Sequence, residues 1–289
     1  MPDPHTTSKA AGQMIDLAME YPAGHLYEVM PREHYDGIKA INASLLKKMQ
    51  KTTLQADHEL NQDKPKNQKA LTFGSAAHTW ILENHLFETE FVVMPPGDRR
   101  KKEVKEQWAE ALATGKDPIS NDEFDTLKAM ETAIRNHPVA DSLLRKGLKE
   151  ASIVSKIEGY GETKCRIDVC DVEQDTLVDL KTCQDVSFDK ISRTVWDYHY
   201  ALQARFYLNC YEEVTGRSAK FFFVFIQKEP PYDINCIELN NDWLRIGQKQ
   251  IDVGLAKHQT YSTFGPQGIS DTISTLVVPN YLTRHIPQG

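Results

Sequence analysis

Several features that would define a protein class at once are missing from this sequence. There is no run of about 18 apolar residues, so we predict no transmembrane helix and no membrane partner. The first residues lack the charged and then apolar pattern of a secretory signal, which favours a cytoplasmic protein. The five cysteines are scattered, without a Cys-x-x-Cys pair, and this spacing argues against a disulfide framework or a zinc site.

An excess of positive charge is also missing. The formal net charge of −7 argues against a protein that coats nucleic acid by bulk charge, but it is compatible with an enzyme that has a locally basic channel. The sequence does contain one strongly basic stretch. A solvated helix face is the ordinary explanation for such a stretch, and contact with phosphates is the alternative. We assign its residues Arg99, Arg100, Lys101 and Lys102 as candidate DNA-binding residues.

The order of predicted elements indicates one α/β domain. Helical periodicity dominates the first half of the chain, and from Ala151 the pattern changes to strands, a hairpin, a helix, two further strands and a last helix. This order predicts a central mixed β-sheet flanked by helices, with an N-terminal helical layer. We divide the chain into an N-terminal arm at 1–33, a single domain at 34–260 and a C-terminal tail at 261–289.

Capping signals place several helix boundaries. Asn42 or Ser44 can begin a helix, and the polar segment that follows is predicted to be the end of that helix and a loop. A long helix is predicted from about Trp196 to Thr215, with Gly216 as its C-terminal cap. The last helix is predicted to start after Asn240 or Asn241 and to end near His258, and Ser120 with Glu123 has the form of a capping box.

The stretch 164–183 predicts two short strands around a polar turn. Side chains alternate along a strand, so Asp179 and Lys181 share one face of the second strand. If the turn is centred between residues 173 and 174, Asp168 on the first strand lies directly across from Asp179. The hairpin therefore predicts two carboxylates and one lysine on the same side.

Two opposed carboxylates repel each other unless a positive charge lies between them, because their Cβ atoms are roughly 4.5–5.5 Å apart. A divalent cation is the obvious candidate, and oxygen ligands suit magnesium, calcium or manganese. Lys181 could then position a water next to a phosphate and help to deprotonate it. The ordinary alternative is a solvated hairpin, since acids near turns and Asp-x-Lys triplets are common.

Two helices carry further polar side chains in apolar surroundings. His78 lies in an apolar run that predicts a core helix, where a lone histidine is usually a hydrogen-bonded core residue. Gln203 and Tyr207 are four residues apart and share one face of a later helix. Polar residues beside an apolar stripe are usually the solvated edge of a helix, so neither feature indicates a site alone.

Taken together, these residues resemble the PD-(D/E)XK nucleases, and more narrowly the nuclease domain of the exonuclease VIII (RecE) type. The resemblance rests on four pieces that occur in the family's order. They are H-Y-D-G-I-K-A-I-N-A-S-L-L at 34–46, F-G-S-A-A-H-T-W-I-L-E at 73–83, the strand motifs K-C-R-I-D and V-D-L-K-T, and H-Y-A-L-Q-A-R-F-Y at 199–207. One departure is visible, because the family often has Arg-Pro-Asp where this chain has Arg-Ile-Asp at 166–168.

The resemblance implies a role for each matching residue. His78, Asp168 and Asp179 would be metal ligands, and the carbonyl of Leu180 would add another. Lys181 would serve the attacking water. Glu150 falls where many relatives carry an acid before the first strand. Two helix residues, Gln203 and Tyr207, would position the scissile phosphate or the water. The implied cofactor is Mg²⁺, with Mn²⁺ as a substitute because a histidine ligand suits manganese.

The function implied by the resemblance is a metal-dependent exodeoxyribonuclease. It would digest linear double-stranded DNA from its ends, 5′ to 3′, and leave 3′ single strands for recombination by strand annealing. The implied partners are double-stranded DNA ends, further copies in a homo-oligomeric ring (a tetramer by resemblance) and a single-strand annealing protein. Two alternatives stay open: a nuclease of the same superfamily that acts on single strands, and a non-catalytic DNA-end-binding scaffold for recombination.

Overall fold

A computed structural model of the protein describes residues 20–62, 69–97, 100–270, 272–273 and 275–278. Its main sheet has six strands in the order β1-β4-β5-β6-β7-β8, and β2 and β3 form a separate parallel pair. The strands are β1 His25–Tyr27, β2 Phe91–Met94, β3 Asp117–Ser120, β4 Leu148–Ile157, β5 Gly161–Asp171, β6 Thr176–Cys183, β7 Lys220–Gln227 and β8 Ile234–Glu238. Strands β6 and β7 are parallel, and the other neighbours in the main sheet are antiparallel. The predicted mixed sheet is therefore confirmed.

Helices cover both faces of this sheet. They are α1 Arg32–Gly37, α2 Ala43–Lys48, α3 Thr53–Asn61, α4 Lys69–Leu82, α5 Phe87–Glu90, α6 Lys102–Ala113, α7 Asn121–Asn136, α8 Pro138–Arg145, α9 Phe188–Asp197, α10 Tyr200–Thr215 and α11 Asn241–Phe264, with a 3-10 turn at Asn84–Leu86. Helices α2, α10 and α11 contribute buried residues to one apolar cluster, and α4, α7 and α8 contribute to another. Within the described residues, none of the helices combines the length and the apolar character needed to cross a bilayer.

Strand β7 shows how one sheet serves both clusters. Phe223 and Phe225 are buried in the cluster that contains α10, whereas Val224 and Ile226 are buried in the cluster that contains α4. Side chains alternate along a strand, so a strand covered on both faces must be apolar at every position. The continuous apolar run of β7 follows from this requirement.

The close crossing of α10 and α11 depends on a glycine. A Cβ atom added at Gly247 would lie 2.2 Å from the carbonyl oxygen of Ala201, far inside contact distance. Residue 247 therefore has to lack a side chain for the two helices to approach as they do. This contact fixes the start of α10, which carries two of the predicted site residues.

The predicted strand register of the 164–183 hairpin is confirmed. Val169 pairs with Val178, and Asp171 pairs with Thr176, as a turn centred between residues 173 and 174 requires. The side-chain oxygen Oδ1 of Asp171 accepts hydrogen bonds from the backbone N–H groups of both turn residues, at 3.0 and 3.1 Å. This local capping explains why the turn forms at that point.

Several helix boundaries differ from the prediction. The long helix does not begin at Trp196, because Trp196 belongs to α9 and His199 adopts a left-handed backbone with φ 53°. The helix that carries the site residues therefore begins at Tyr200. Gly216 ends it with φ 67°, as predicted.

The ends of the predicted domain also contain unexpected elements. Strand β1, inside the predicted arm, pairs with β4, and α11 continues past residue 260 to Phe264. Part of the segment predicted as a loop forms α3, because Thr52 and Gln55 make a capping box. Asn42 caps α2, one of the two predicted alternatives. The division of the chain into arm, domain and tail stays a prediction.

Candidate active site

One pocket of about 840 Å³ lies where β4, β5 and β6 meet α4 and α10. The structure brings together there all the residues that the sequence nominated for catalysis and for metal binding. Those that line the pocket are His78, Asp168, Asp179, Leu180, Lys181, Gln203 and Tyr207. Their assigned roles stay predictions, but their convergence from two strands and two helices is a property of the fold.

Three acids lie side by side across three adjacent strands. The β5–β6 register places Asp168 opposite Asp179, one position beyond the paired Val169 and Val178. In the β4–β5 register, Lys149 pairs with Val169 and Ala151 pairs with Ile167. Glu150 therefore lies opposite Asp168, on the side of β5 away from β6. Glu150 has a left-handed backbone with φ 52°, and backbone strain of this kind is concentrated at functional sites. The pocket is thus lined by a row of three carboxylates.

His78 lies above this row and is held by two contacts. Its Nε2 is 2.8 Å from the carbonyl oxygen of Leu180, and its Nδ1 is 3.4 Å from Oδ2 of Asp168. A carbonyl oxygen can only accept, so Nε2 carries the proton and Nδ1 is left with a lone pair. Burial, and then the charge of Lys181, lowers the pKa of His78, which keeps the ring neutral. A neutral imidazole with a free Nδ1 is a competent metal ligand.

The central carboxyl group, that of Asp168, is almost inaccessible to solvent. It accepts a hydrogen bond of 2.7 Å from the backbone N–H of Leu180. Burial raises the pKa of Asp168, and the negative charges of Asp179 and Glu150 raise it further. A carboxylate at this position therefore needs a compensating positive charge to be stable.

The second half of the pocket is organised around Asp179, which is 2% exposed. One carboxylate oxygen contacts the ammonium of Lys181, and the other accepts a hydrogen bond from the amide of Gln203. The oxygen that faces Lys181 has no hydrogen bond besides this ion pair. Burial lowers the pKa of Lys181, but Asp179 and its other neighbours outweigh that effect and raise the pKa overall. Lys181 is therefore a permanent cation in this environment.

Two tyrosines complete the pocket wall. The ring of Tyr200 packs on Phe223 and has the Lys181 ammonium 4.9 Å from its centroid. Tyr207 is one turn of α10 beyond Gln203, and burial raises its pKa well above the usual range. Its hydroxyl group therefore keeps its proton and can act as a hydrogen-bond donor.

The described members of the predicted DNA-binding stretch do not line this pocket. Arg99 is outside the described residues. Among the residues described, Lys101 and Lys102 are exposed at the start of α6, and neither these two nor Arg100 is among those that line the pocket. Lys102 makes an i,i+4 contact of 3.7 Å with Glu106, as expected for a solvated helix face. DNA contact by this stretch stays a prediction.

The family motifs place Glu150 only as an acid before the first strand, and none of them includes Lys47. One signal for Glu150 was available, because a turn centred on Gly159 places residue 150 opposite Asp168. No local pattern pointed to Lys47, whose Nζ donates a hydrogen bond of 2.7 Å to the side-chain oxygen of Gln203, a residue 156 positions away in sequence.

The donor set fits a divalent cation. One ligand atom each from His78, Glu150 and Asp168 lie within 4.8 Å of one another. Two carboxylates and one imidazole suit manganese and are compatible with magnesium. Glu150 belongs to this group and also accepts a hydrogen bond of 2.7 Å from the guanidinium of Arg166. The predicted ligand Asp179 contacts Lys181 and Gln203. The carbonyl of Leu180, also a predicted ligand, accepts the hydrogen bond of His78.

A sequence-family model described as a PDDEXK-like domain of unknown function (DUF3799) matches residues 42–262, well over half of the chain. The chain belongs to this PDDEXK-like family. The match extends from α2 to α11 and so includes every pocket residue named above. No curated protein sequence matches the chain.

One solved structure has a fold similar to that of this chain. The crystal structure of a "putative exonuclease" from Eubacterium rectale has a TM-score of 0.61 and 15% identity, over 89% of this chain and 99% of that one. At this identity the similarity concerns the fold alone. A phage related exonuclease from Haemophilus somnus 129PT is 11% identical over 78% of this chain and 96% of that one, but its TM-score of 0.34 is too low to support an argument.

Proposed function

We propose that this PDDEXK-like domain is a metal-dependent exodeoxyribonuclease that hydrolyses phosphodiester bonds at the ends of linear double-stranded DNA. One observation carries the proposal: Asp168, Asp179 and Lys181 meet in a single pocket. A scaffold that only binds DNA ends has no need for a buried carboxyl group with a raised pKa, that of Asp168, close to a permanently charged lysine.

The pocket residues divide the chemistry between them. His78, Glu150 and Asp168 would hold a Mg²⁺ or Mn²⁺ ion. When bound, the ion supplies charge that stabilises the phosphate oxygens and lowers the pKa of a water. Lys181, as a permanent cation, orients that water and stabilises negative charge on the phosphate, and Asp179 holds the lysine in place. This arrangement favours an electrostatic role for the lysine over proton transfer.

Gln203 and Tyr207 act on the same group from helix α10. Both residues line the pocket, where the Tyr207 hydroxyl and the second N–H of the Gln203 amide, whose first is donated to Asp179, can hold a non-bridging phosphate oxygen or the water. Both groups are neutral, so their hydrogen bonds orient the phosphate or the water but supply no net charge. Basic contacts to the duplex outside the pocket would come from Arg99, Arg100, Lys101 and Lys102.

The finer points of the proposed reaction rest on the likeness of four motifs, spread over residues 34–207, to exonucleases of the exonuclease VIII type. They are 5′ to 3′ polarity, 3′ single-stranded products for recombination by strand annealing, a ring of identical subunits such as a tetramer, and a single-strand annealing protein as partner. Strand-specific end labels test the polarity, and light scattering tests the oligomeric state.

The decisive experiment compares three DNA substrates with and without Mg²⁺. Linear duplex, circular duplex of the same sequence and single strands are incubated with the protein and with the variant Asp179→Ala. We expect digestion of the linear duplex alone, dependent on metal and lost in the variant. Preferred digestion of single strands would instead favour the single-strand nuclease, and binding without cleavage in Mg²⁺ or Mn²⁺ would favour the scaffold.

A further inference from the structure

Lys47 is a cation beside the pocket with an unusual environment. It lies in the last turn of α2, and its side chain is half-buried. Its ammonium donates a hydrogen bond of 2.7 Å to Oε1 of Gln203 and lies 4.9 Å from the ring centroid of Tyr200. Both of these residues line the pocket. The lysine is therefore at the rim of the pocket and in contact with its wall.

The surroundings of Lys47 do not neutralise its charge. In the part of the chain that the structure describes, no carboxylate is within ion-pair distance of its ammonium, and its hydrogen-bond partner is a neutral amide. Burial, and then repulsion from Lys181, lowers the pKa of Lys47 to about 7. Partly desolvated cations in proteins are normally paired with an anion. Without an anionic partner Lys47 is only partly protonated at neutral pH, and a bound phosphate would stabilise its charged form.

A second ammonium group completes the arrangement. Lys181 also lies 4.9 Å from the centroid of the Tyr200 ring, the same distance as Lys47. Lys181 has a carboxylate partner in Asp179, and Lys47 does not. Two like charges next to one aromatic ring repel each other, and an anion that contacts both would remove that repulsion. In a nuclease, the DNA backbone is the anion that arrives at this place.

We propose that Lys47 binds a phosphodiester group of the DNA strand that enters the pocket. The proposal rests on the proposed nuclease function and names a contact between this pocket and its substrate. Lys47 has three N–H donors, of which one is used on Gln203, so a phosphate oxygen can be bound without breaking the contact to Gln203. The contact adds affinity and register and does not touch the bond that is cleaved.

Salt dependence of DNA binding tests the contact, since each phosphate contact contributes about 0.9 to the slope of log Kd against log salt for duplex DNA. Fluorescence anisotropy of a labelled linear duplex is measured in Ca²⁺, in place of Mg²⁺, to limit cleavage. We expect the slope of Lys47→Gln to be shallower by about 0.9, with binding several-fold weaker at low salt. Lys47→Gln removes the charge but keeps an amide donor for Gln203, and Lys47→Arg keeps the charge and should retain the slope.

Lys51→Gln is the matched control, because Lys51 follows the same helix but pairs with Glu59 at the surface. Its slope should equal that of the wild type. In Mg²⁺, Lys47→Gln should raise KM with little change in kcat. An unchanged slope together with a lower kcat would overturn the proposal and make Lys47 a positioning residue for Gln203.

The proposed nuclease function and the proposed role of Lys47 are tested by different outcomes. A wild-type protein that does not cleave DNA overturns the proposed function, and the binding slope still decides the role of Lys47. A wild-type protein that cleaves while Lys47→Gln keeps the full slope overturns only the role of Lys47. Thermal melting of each variant controls for folding, and Lys47→Met is the second variant if Lys47→Gln is destabilised.

Discussion

The acidic half of the pocket (His78, Glu150 and Asp168) and its lysine half (Asp179, Lys181 and Gln203) are built in opposite ways. In the acidic half, Glu150 is ion-paired with Arg166, but burial and the charges of Asp179 and Glu150 raise the pKa of Asp168, so a carboxylate at Asp168 needs a further positive charge. In the lysine half, the buried carboxylate already has an ammonium and an amide as partners. The first half is poised to take up a cation, and the second is complete.

This difference has a direct consequence for mutational effects. In the acidic half, removing the charge of Asp168 reduces the repulsion among the acids, so the metal-free fold should tolerate it. Glu150→Gln keeps an oxygen that can accept the hydrogen bond of Arg166. In the lysine half, removing one partner leaves a buried charge uncompensated, which costs a folded protein about 3–5 kcal/mol. Metal binding and substrate chemistry can therefore be separated by variants chosen from one half or the other.

The largest effect is expected for Lys181→Met, in the lysine half. Loss of the cation removes charge stabilisation at the phosphate, and we expect the rate of linear duplex digestion to fall by about 10³-fold or more. The variant is measured in single turnover in Mg²⁺, beside Lys190→Met, which removes an exposed lysine from α9. Nearly normal digestion by Lys181→Met would show that the chemistry does not depend on this half.

A smaller effect is expected for Glu150→Gln, in the acidic half. We expect metal affinity and activity to fall by roughly 10- to 100-fold, with activity partly restored at high Mg²⁺, because one ligand is weakened and the others stay. Glu162→Gln is the control, since Glu162 lies on β5 and is exposed. Equal metal titration curves for the two variants would exclude Glu150 as a ligand and favour Asp179 in its place.

The acids on the strands of the two halves can be placed from the sequence, because their relative positions depend on turns. One turn, centred between residues 173 and 174, sufficed to place Asp168 opposite Asp179, because register in an antiparallel pair follows from the turn. In the same way, a turn centred on Gly159 predicts that Glu150 lies opposite Asp168. The left-handed backbone at Glu150 does not shift this register. The acid row is thus a consequence of two turns.

Contacts between helices and strands are harder to predict from the sequence. His78 and Gln203 were recognised only through resemblance, because their distance from the strands depends on how α4 and α10 pack on the sheet. Lys47 had no signal at all, since its contact to Gln203 joins residues 156 positions apart. The break at His199 was missed because a left-handed histidine has no marker comparable with that of Gly216.

The pH dependence of metal binding distinguishes the halves without any activity assay. The folded-state pKa of Asp168 is raised above its unfolded value, so its contribution to stability is present at low pH and is lost as pH rises through the folded pKa. Metal requires the deprotonated carboxylate, and the increase in Tm caused by Mg²⁺ should therefore be larger by a few degrees at about pH 8 than at about pH 6.

Asp168→Asn is the control for this effect. The amide cannot ionise, so the variant should show little increase in Tm with Mg²⁺ at either pH, and in the absence of metal it should be at least as stable as the wild type at high pH. An increase in Tm that is independent of pH in the wild type would contradict a metal site at Asp168.

The smallest effect concerns metal preference within the acidic half. His78→Asn places an amide oxygen near the position of Nδ1 and gives up the hydrogen bond that Nε2 donates to the carbonyl of Leu180. We expect the ratio of Mn²⁺-supported to Mg²⁺-supported activity to fall several-fold, because imidazole favours manganese and oxygen donors suit magnesium. His85→Asn, at an exposed position after α4, should leave the ratio unchanged. If both variants keep the wild-type ratio, His78 does not bind the metal, and its contact with Asp168 only orients the carboxylate.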